Sequence, residues 1–93
     1  MERQDIAQTR ALQALGWLAG QDGLLDGFLH MSGASLADLR AQAQEPAFLA
    51  SVLDFILQQD DWVIDCAQAL GVAPQEIVDA RAILGGGDLR HWT

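Results

Sequence analysis

Residues 46–58 read Pro46-Ala47-Phe48-Leu49-Ala50-Ser51-Val52-Leu53-Asp54-Phe55-Ile56-Leu57-Gln58. Turned at about 100° per residue, Phe48, Leu49, Val52, Leu53, Phe55, Ile56 and Leu57 spread over an arc of about 200°, which leaves Ala47, Ala50, Ser51, Asp54 and Gln58 to the remaining sector. A helix lying on a protein surface needs an apolar stripe only a little wider than ~100°. The spacing therefore predicts a helix wedged between neighbours at the centre of the fold. Pro46 suits its first turn, where the missing N–H would be unpaired anyway, and Glu45-Pro46 breaks whatever helix precedes it.

Working outward, apolar spacings of three and four recur between glycines and prolines, and no sustained alternation suggests a strand. Helix 1 is expected over about Ile6 to Gly20, with Asp5 as N-cap and Ala7, Ala11, Ala14, Leu15, Leu18 and Ala19 on one stripe. Helix 2 follows Asp22, buries Leu24, Leu25, Phe28 and Leu29, and stops near Ser32 at Gly33. Helix 3 opens at Ser35, with Asp38 reaching back as a variant capping box, and runs to about Gln44. Beyond the central helix, Asp60 or Asp61 caps helix 5 (Trp62 to Leu70), which Gly71 closes. Pro74 starts helix 6, which ends at about Leu84 before Gly85-Gly86-Gly87.

This is an all-α fold: a compact orthogonal bundle of about six short helices, with residues 1–87 as a single helical domain and 88–93 as a short C-terminal tail. At an offset of 38 residues Leu15 pairs with Leu53, Trp17 with Phe55, Leu18 with Ile56, Asp22 with Asp60 and Leu39 with Ile77. The order of elements repeats as well, so two pseudo-repeated three-helix units are one way to build the bundle.

The chain has 93 residues, 13 acidic side chains, five arginines and no lysine, for a net charge of −8. Without lysine there is no Walker-loop or Schiff-base chemistry. The longest apolar stretch, Pro46 to Leu57, is interrupted by Ser51 and Asp54 and falls short of the ~20 residues a bilayer requires. Met-Glu-Arg-Gln-Asp at the start is followed by no apolar run of the signal-peptide kind, which makes a cytoplasmic location the expectation. One cysteine, Cys66, forms no internal disulfide, and two distant histidines supply no zinc set, so neither metal nor cofactor is expected.

Ala11-Leu12, Ala14-Leu15, Trp17-Leu18, Asp22, Phe28-Leu29 before Gly33, and Leu39-Arg40 form one recurring set. Pro46-Ala47-Phe48-Leu49, Val52-Leu53-Asp54-Phe55, Leu70-Gly71 and Ala80-Arg81 with a Gly-Gly ending form the other. Over roughly residues 10 to 87 the chain resembles the small alphaproteobacterial proteins grouped as domain-of-unknown-function family 3572. The Pro-Ala-Phe-Leu and Val-Leu-Asp-Phe block is the specific part, and Leu84-Gly85-Gly86-Gly87 replaces an expected Leu-Pro-Gly-Gly. The resemblance implies a bacterial cytosolic domain and supplies no catalytic residue.

Chemical constellations yield to ordinary readings. Ser35 opens a helix as the phosphopantetheine serine of acidic carrier proteins does, but Ala34 stands where their Asp belongs, so Ser35 reads as a helix cap. Leu70 to Pro74 has the outline of a helix-turn-helix, yet Glu76 and Asp79 offset Arg81 on the face that would meet phosphates, which argues against nucleic acid. Asp54, beside Phe55, lies in the polar sector and reads as a solvated or arginine-paired carboxylate, with Arg81 as the partner to expect. Neither Asp60, Asp61 and Asp65 nor Asp22 to Gly27 matches a calcium loop. Cys66, on an apolar helix with no basic neighbour in sequence, reads as a small buried hydrophobe.

An apolar surplus remains. Ile6, Arg10, Gln13 and Trp17 line a second edge of helix 1, and the tail carries Leu89 and Trp92. A Trp beside an Arg on a helix edge is typical of a protein contact, although the tail could instead fold back over Trp17. Ile6, Arg10, Trp17, Leu89 and Trp92 are therefore the candidate partner interface. The reading is a non-catalytic, acidic protein–protein interaction module whose partner is a basic protein or a second copy in a homodimer, with no nucleic acid and no membrane. Two alternatives stand beside it: an acidic inhibitor or immunity-type decoy of a basic protein, and a carrier or small-molecule-binding protein with an apolar pocket between helices 2, 4 and 5.

Overall fold

The computed structural model describes residues 3–84. Six helices follow one another: α1 (Arg3–Ala19), α2 (Asp22–Ser32), α3 (Leu36–Gln42), α4 (Pro46–Ile56), α5 (Asp60–Leu70) and α6 (Pro74–Leu84). No strand occurs among the described residues, and the architecture is an all-α bundle. The tail at 88–93, and with it Leu89 and Trp92, lies outside the described residues.

Local chemistry accounts for most boundaries. Gly33 (φ 73°) and Gly71 (φ 74°) take the left-handed conformation in which a glycine closes a helix without a Cβ clash. After α5, Gly71 N–H donates to Gln68 C=O at 3.2 Å and Val72 N–H to Ala67 C=O at 3.0 Å, which satisfies two carbonyls of the last turn. At the start of α3, Asp38 N–H donates to Ser35 Oγ at 3.1 Å and Ser35 N–H donates to Asp38 Oδ2 at 3.0 Å, a complete capping box.

Five ends differ from expectation. α2 already includes Asp22, with Gln21 as the residue before its first turn. α1 already includes Arg3, so Asp5 is no N-cap but sits in the first turn, where its charge complements the helix dipole. α5 begins at Asp60 with Gln59 before it, which moves Asp60 and Asp61 into the first turn for the same electrostatic reason. α4 ends at Ile56 rather than Gln58, because Gln58 N–H turns to the i−3 carbonyl of Phe55 at 3.2 Å. α3 stops at Gln42 rather than Gln44, where Glu45 N–H takes the Gln42 carbonyl at 2.9 Å ahead of Pro46.

α4 buries Phe48, Leu49, Ala50, Val52, Leu53, Phe55 and Ile56, so its enclosed surface is even wider than the wheel indicates, Ala50 included. α1 buries Ala7, Ala11, Ala14, Leu15 and Leu18, while Ala19, at its end, is exposed. Three of those five are alanines, which lets α1 approach its neighbours closely; it packs against α6, α4, α5 and α2. α4 and α5 also lean on α6. Phe28 of α2 meets Phe48 and Phe55 edge-on at centroid distances of 5.7 and 5.6 Å, and Trp62 stacks on Phe55 at 5.1 Å. Leu24, Leu25 and Leu29 are only half-buried. The two three-helix units are unequal: α6 buries Ile77, Ala80 and Leu84, whereas its counterpart α3 buries nothing.

Leu53 is fully enclosed at the middle of α4. Leu53→Asp is expected to abolish cooperative thermal unfolding, because it places an unpaired charge where water cannot reach it. A cooperative melt near the wild-type temperature, followed by circular dichroism, would contradict this placement.

Candidate functional site

On α6, Glu76, Asp79, Ala80 and Ile83 recur at helical spacing along one face, and Ile6, Ala7 and Arg10 do the same on α1. The two faces border one groove of about 190 Å³. Ile6 and Ala7 lie beside the Ala80–Ile83 turn, and Arg10 reaches Glu76, so the helices run antiparallel. Ala7 and Ala80 are buried small side chains that allow the backbones to close up. Ile6, by contrast, remains 46% exposed at the mouth.

Charges hold this seam and rim it. Arg10 Nη2 donates to Glu76 Oε1 at 3.0 Å and Arg10 Nη1 to Gln13 Oε1 at 2.8 Å, so the guanidinium is fixed from both helices. Glu76 Oε2 accepts from Ala73 N–H at 3.3 Å, tying the same carboxylate to the start of α6. Asp79 Oδ1 accepts from Gln75 Nε2 at 2.9 Å. The result is an apolar strip of Ile6, Ala7, Ala80 and Ile83 beside two carboxylates and one arginine.

Of the sequence-derived interface residues, Ile6 and Arg10 meet in this groove. Trp17 lies on the same helix roughly 10 Å beyond Arg10 at 1.5 Å per residue, and it is half-buried against the core instead of lining the groove. Leu89 and Trp92 fall outside the described residues. Glu76, Asp79 and Ile83 complete the site without having been singled out as interface residues. Their helical spacing was visible, but the antiparallel docking that sets them against Ile6 is a long-range fact.

Other candidates find structural employment. Arg81 Nε donates to Asp54 Oδ1 at 2.5 Å and Arg81 Nη2 to Asp54 Oδ2 at 3.1 Å, the expected pair in two-point geometry. With the Asp54 side chain 54% exposed, such a bridge contributes only about 0–1 kcal/mol. Ser35 is engaged in its capping box, and Ser51 Oγ donates to the Phe48 carbonyl at 2.6 Å. Asp60, Asp61 and Asp65 are exposed, and among the described residues no group of three His, Cys, Asp or Glu side chains could hold a metal ion. No described helix is long and apolar enough to cross a membrane. The hollow beside Phe28 and Phe55 is about 220 Å³, open, and bordered by α2 and α4 without α5, unlike the three-helix pocket of a carrier reading.

Fold and groove thus define a small acidic helical domain with a charged, apolar-floored seam. The chain belongs to the family described as Protein of unknown function (DUF3572), whose model matches residues 4–87. No curated protein and no solved structure matches it.

Cys66 is enclosed by α5 and its neighbours, and burial pushes its thiol up from 9.0 to about 11. The unfolded chain therefore loses this proton first, so the thiol's contribution to stability is full below pH 9.0 and declines as pH rises toward about 11. Denaturant titrations across that range should show a decline that is shallower in Cys66→Ala. Parallel declines in both proteins would contradict an enclosed thiol.

Proposed function

We propose that the protein is a non-catalytic, cytoplasmic interaction module that holds a protein partner along the α1–α6 groove. The observation that carries this reading is the exposed Ile6 set over an alanine-lined seam, flanked by Glu76 and Asp79. An apolar anchor within a polar rim is the usual anatomy of a protein contact. The net charge of −8 favours a basic partner and speeds encounter at low salt. The absence of a role in catalysis is supported by the commitments of Ser35 and Ser51 to backbone groups and by the buried Cys66 thiol.

The same charge favours a second reading, an acidic inhibitor of the immunity type that blocks a basic protein. Salt separates the two: a decoy complex weakens steeply with ionic strength, whereas an apolar interface persists.

Affinity capture with tagged wild-type protein and Ile6→Asp, eluted by a salt gradient and identified by mass spectrometry, tests the proposal. One stoichiometric partner, or a second copy of the chain, is expected on the wild type and reduced at least about tenfold on Ile6→Asp, with the melting temperature unchanged. Equal capture by both proteins would overturn the assignment of the groove.

A further inference from the structure

We infer that the α2–α3 hairpin is a flap that opens and unravels as a unit while α1, α4, α5 and α6 stay folded. Its attachment is slight: the backbone of α2 packs chiefly on α1, and that of α3 on no helix to a like extent. Phe28 is the one described side chain that α2 and α3 bury, set edge-on between Phe48 and Phe55, and α3 buries none. Leu24, Leu29 and Leu39 rest only half-covered against the core, while Met31 and Leu36 are 63% and 56% exposed.

The hairpin also stands off from α4. Two hollows lie between them, one of about 220 Å³ reaching Met31, Ser51 and Phe55 and one of about 490 Å³ reaching Asp38, Gln42 and Ala47. Ser32 borders both, so they follow one another along the hairpin's inner side. Within the segment the bonds are local: Ser35 and Asp38 cap α3, and Ala34 N–H donates to Ser32 Oγ at 3.2 Å in the connection. The rest of the bundle is joined differently, by the interlocking buried faces of α1, α4 and α6 and by the ion pairs Arg10–Glu76 and Arg81–Asp54.

Glycines inside α2 point the same way. A Cβ at Gly23 would meet nothing within 4 Å, and one at Gly27 would meet only the Phe55 ring, at 3.5 Å, an ordinary contact. Packing therefore demands neither glycine, yet each lowers helix stability relative to alanine. Once undocked, helices of 11 and 7 residues are too short to persist alone, so release of Phe28 unravels the segment. Regions with few buried apolar contacts open first. Opening uncovers the Phe48 and Phe55 rings, which the closed form keeps from water.

Native-state hydrogen exchange of the full chain, resolved by mass spectrometry, tests this. Amides of α2 and α3 are expected to be at least about tenfold less protected than those of α1, α4 and α6. Ile77→Val, a conservative change in the core outside the flap, should lower protection of α1, α4 and α6 by about fivefold, the equivalent of ~1 kcal/mol, and leave α2 and α3 unchanged. Gly23→Ala with Gly27→Ala should raise α2–α3 protection by about fivefold per substitution. Uniform protection in the wild type, a matching fall of α2 and α3 in Ile77→Val, or no response to the alanines would each overturn the flap.

Discussion

The apolar surface of α4 wraps too far around the helix for any single neighbour to hide, and the remaining architecture answers that demand. Seven of its eleven residues are buried, and α1, α6 and the aromatic cluster of Phe28 and Trp62 share the work of covering them. Close coverage requires small side chains on the facing helix, which the alanines of α1 supply. A chain of 93 residues buries a modest core, so enclosing one helix on two sides consumes much of what it has.

Economy of that kind leaves edges. The α1–α6 seam is close-packed at Ala7 and Ala80 and stays open toward Ile6 and Ile83, where acids line the margin. At the opposite edge, the α2–α3 segment buries one aromatic side chain fully and rests Leu24, Leu29 and Leu39 half-covered against the core. One edge is thus charged and close-packed at its floor, and the other is only partly covered. Both follow from where the limited apolar surface is spent.

Much of the fold was legible in short-range pattern. The arc of α4, the closing glycines Gly33 and Gly71, the Ser35–Asp38 capping box and the Asp54–Arg81 pair all appear where residue type and spacing put them. Asp5 misled because helix propensity extends α1 ahead of it, so a good capping residue became a first-turn acid. Leu36 and Leu39 have the spacing of a buried stripe, yet Leu36 is exposed because α3 never docks fully. The groove itself was half legible: Ile6 and Arg10 stood out as surplus, but Glu76, Asp79 and Ile83 join them only through a contact between opposite ends of the sequence. No local periodicity encodes such a pairing.

The central claim is that the contact surface is the α1–α6 groove. The most direct measurement is amide exchange of the protein with and without its captured partner, mapped residue by residue. Slowed exchange concentrated at residues 6–10 and 76–83 is the result this account requires. Slowing confined to the inner side of α2 and α3 and the facing side of α4, with α1 and α6 unaffected, would contradict it.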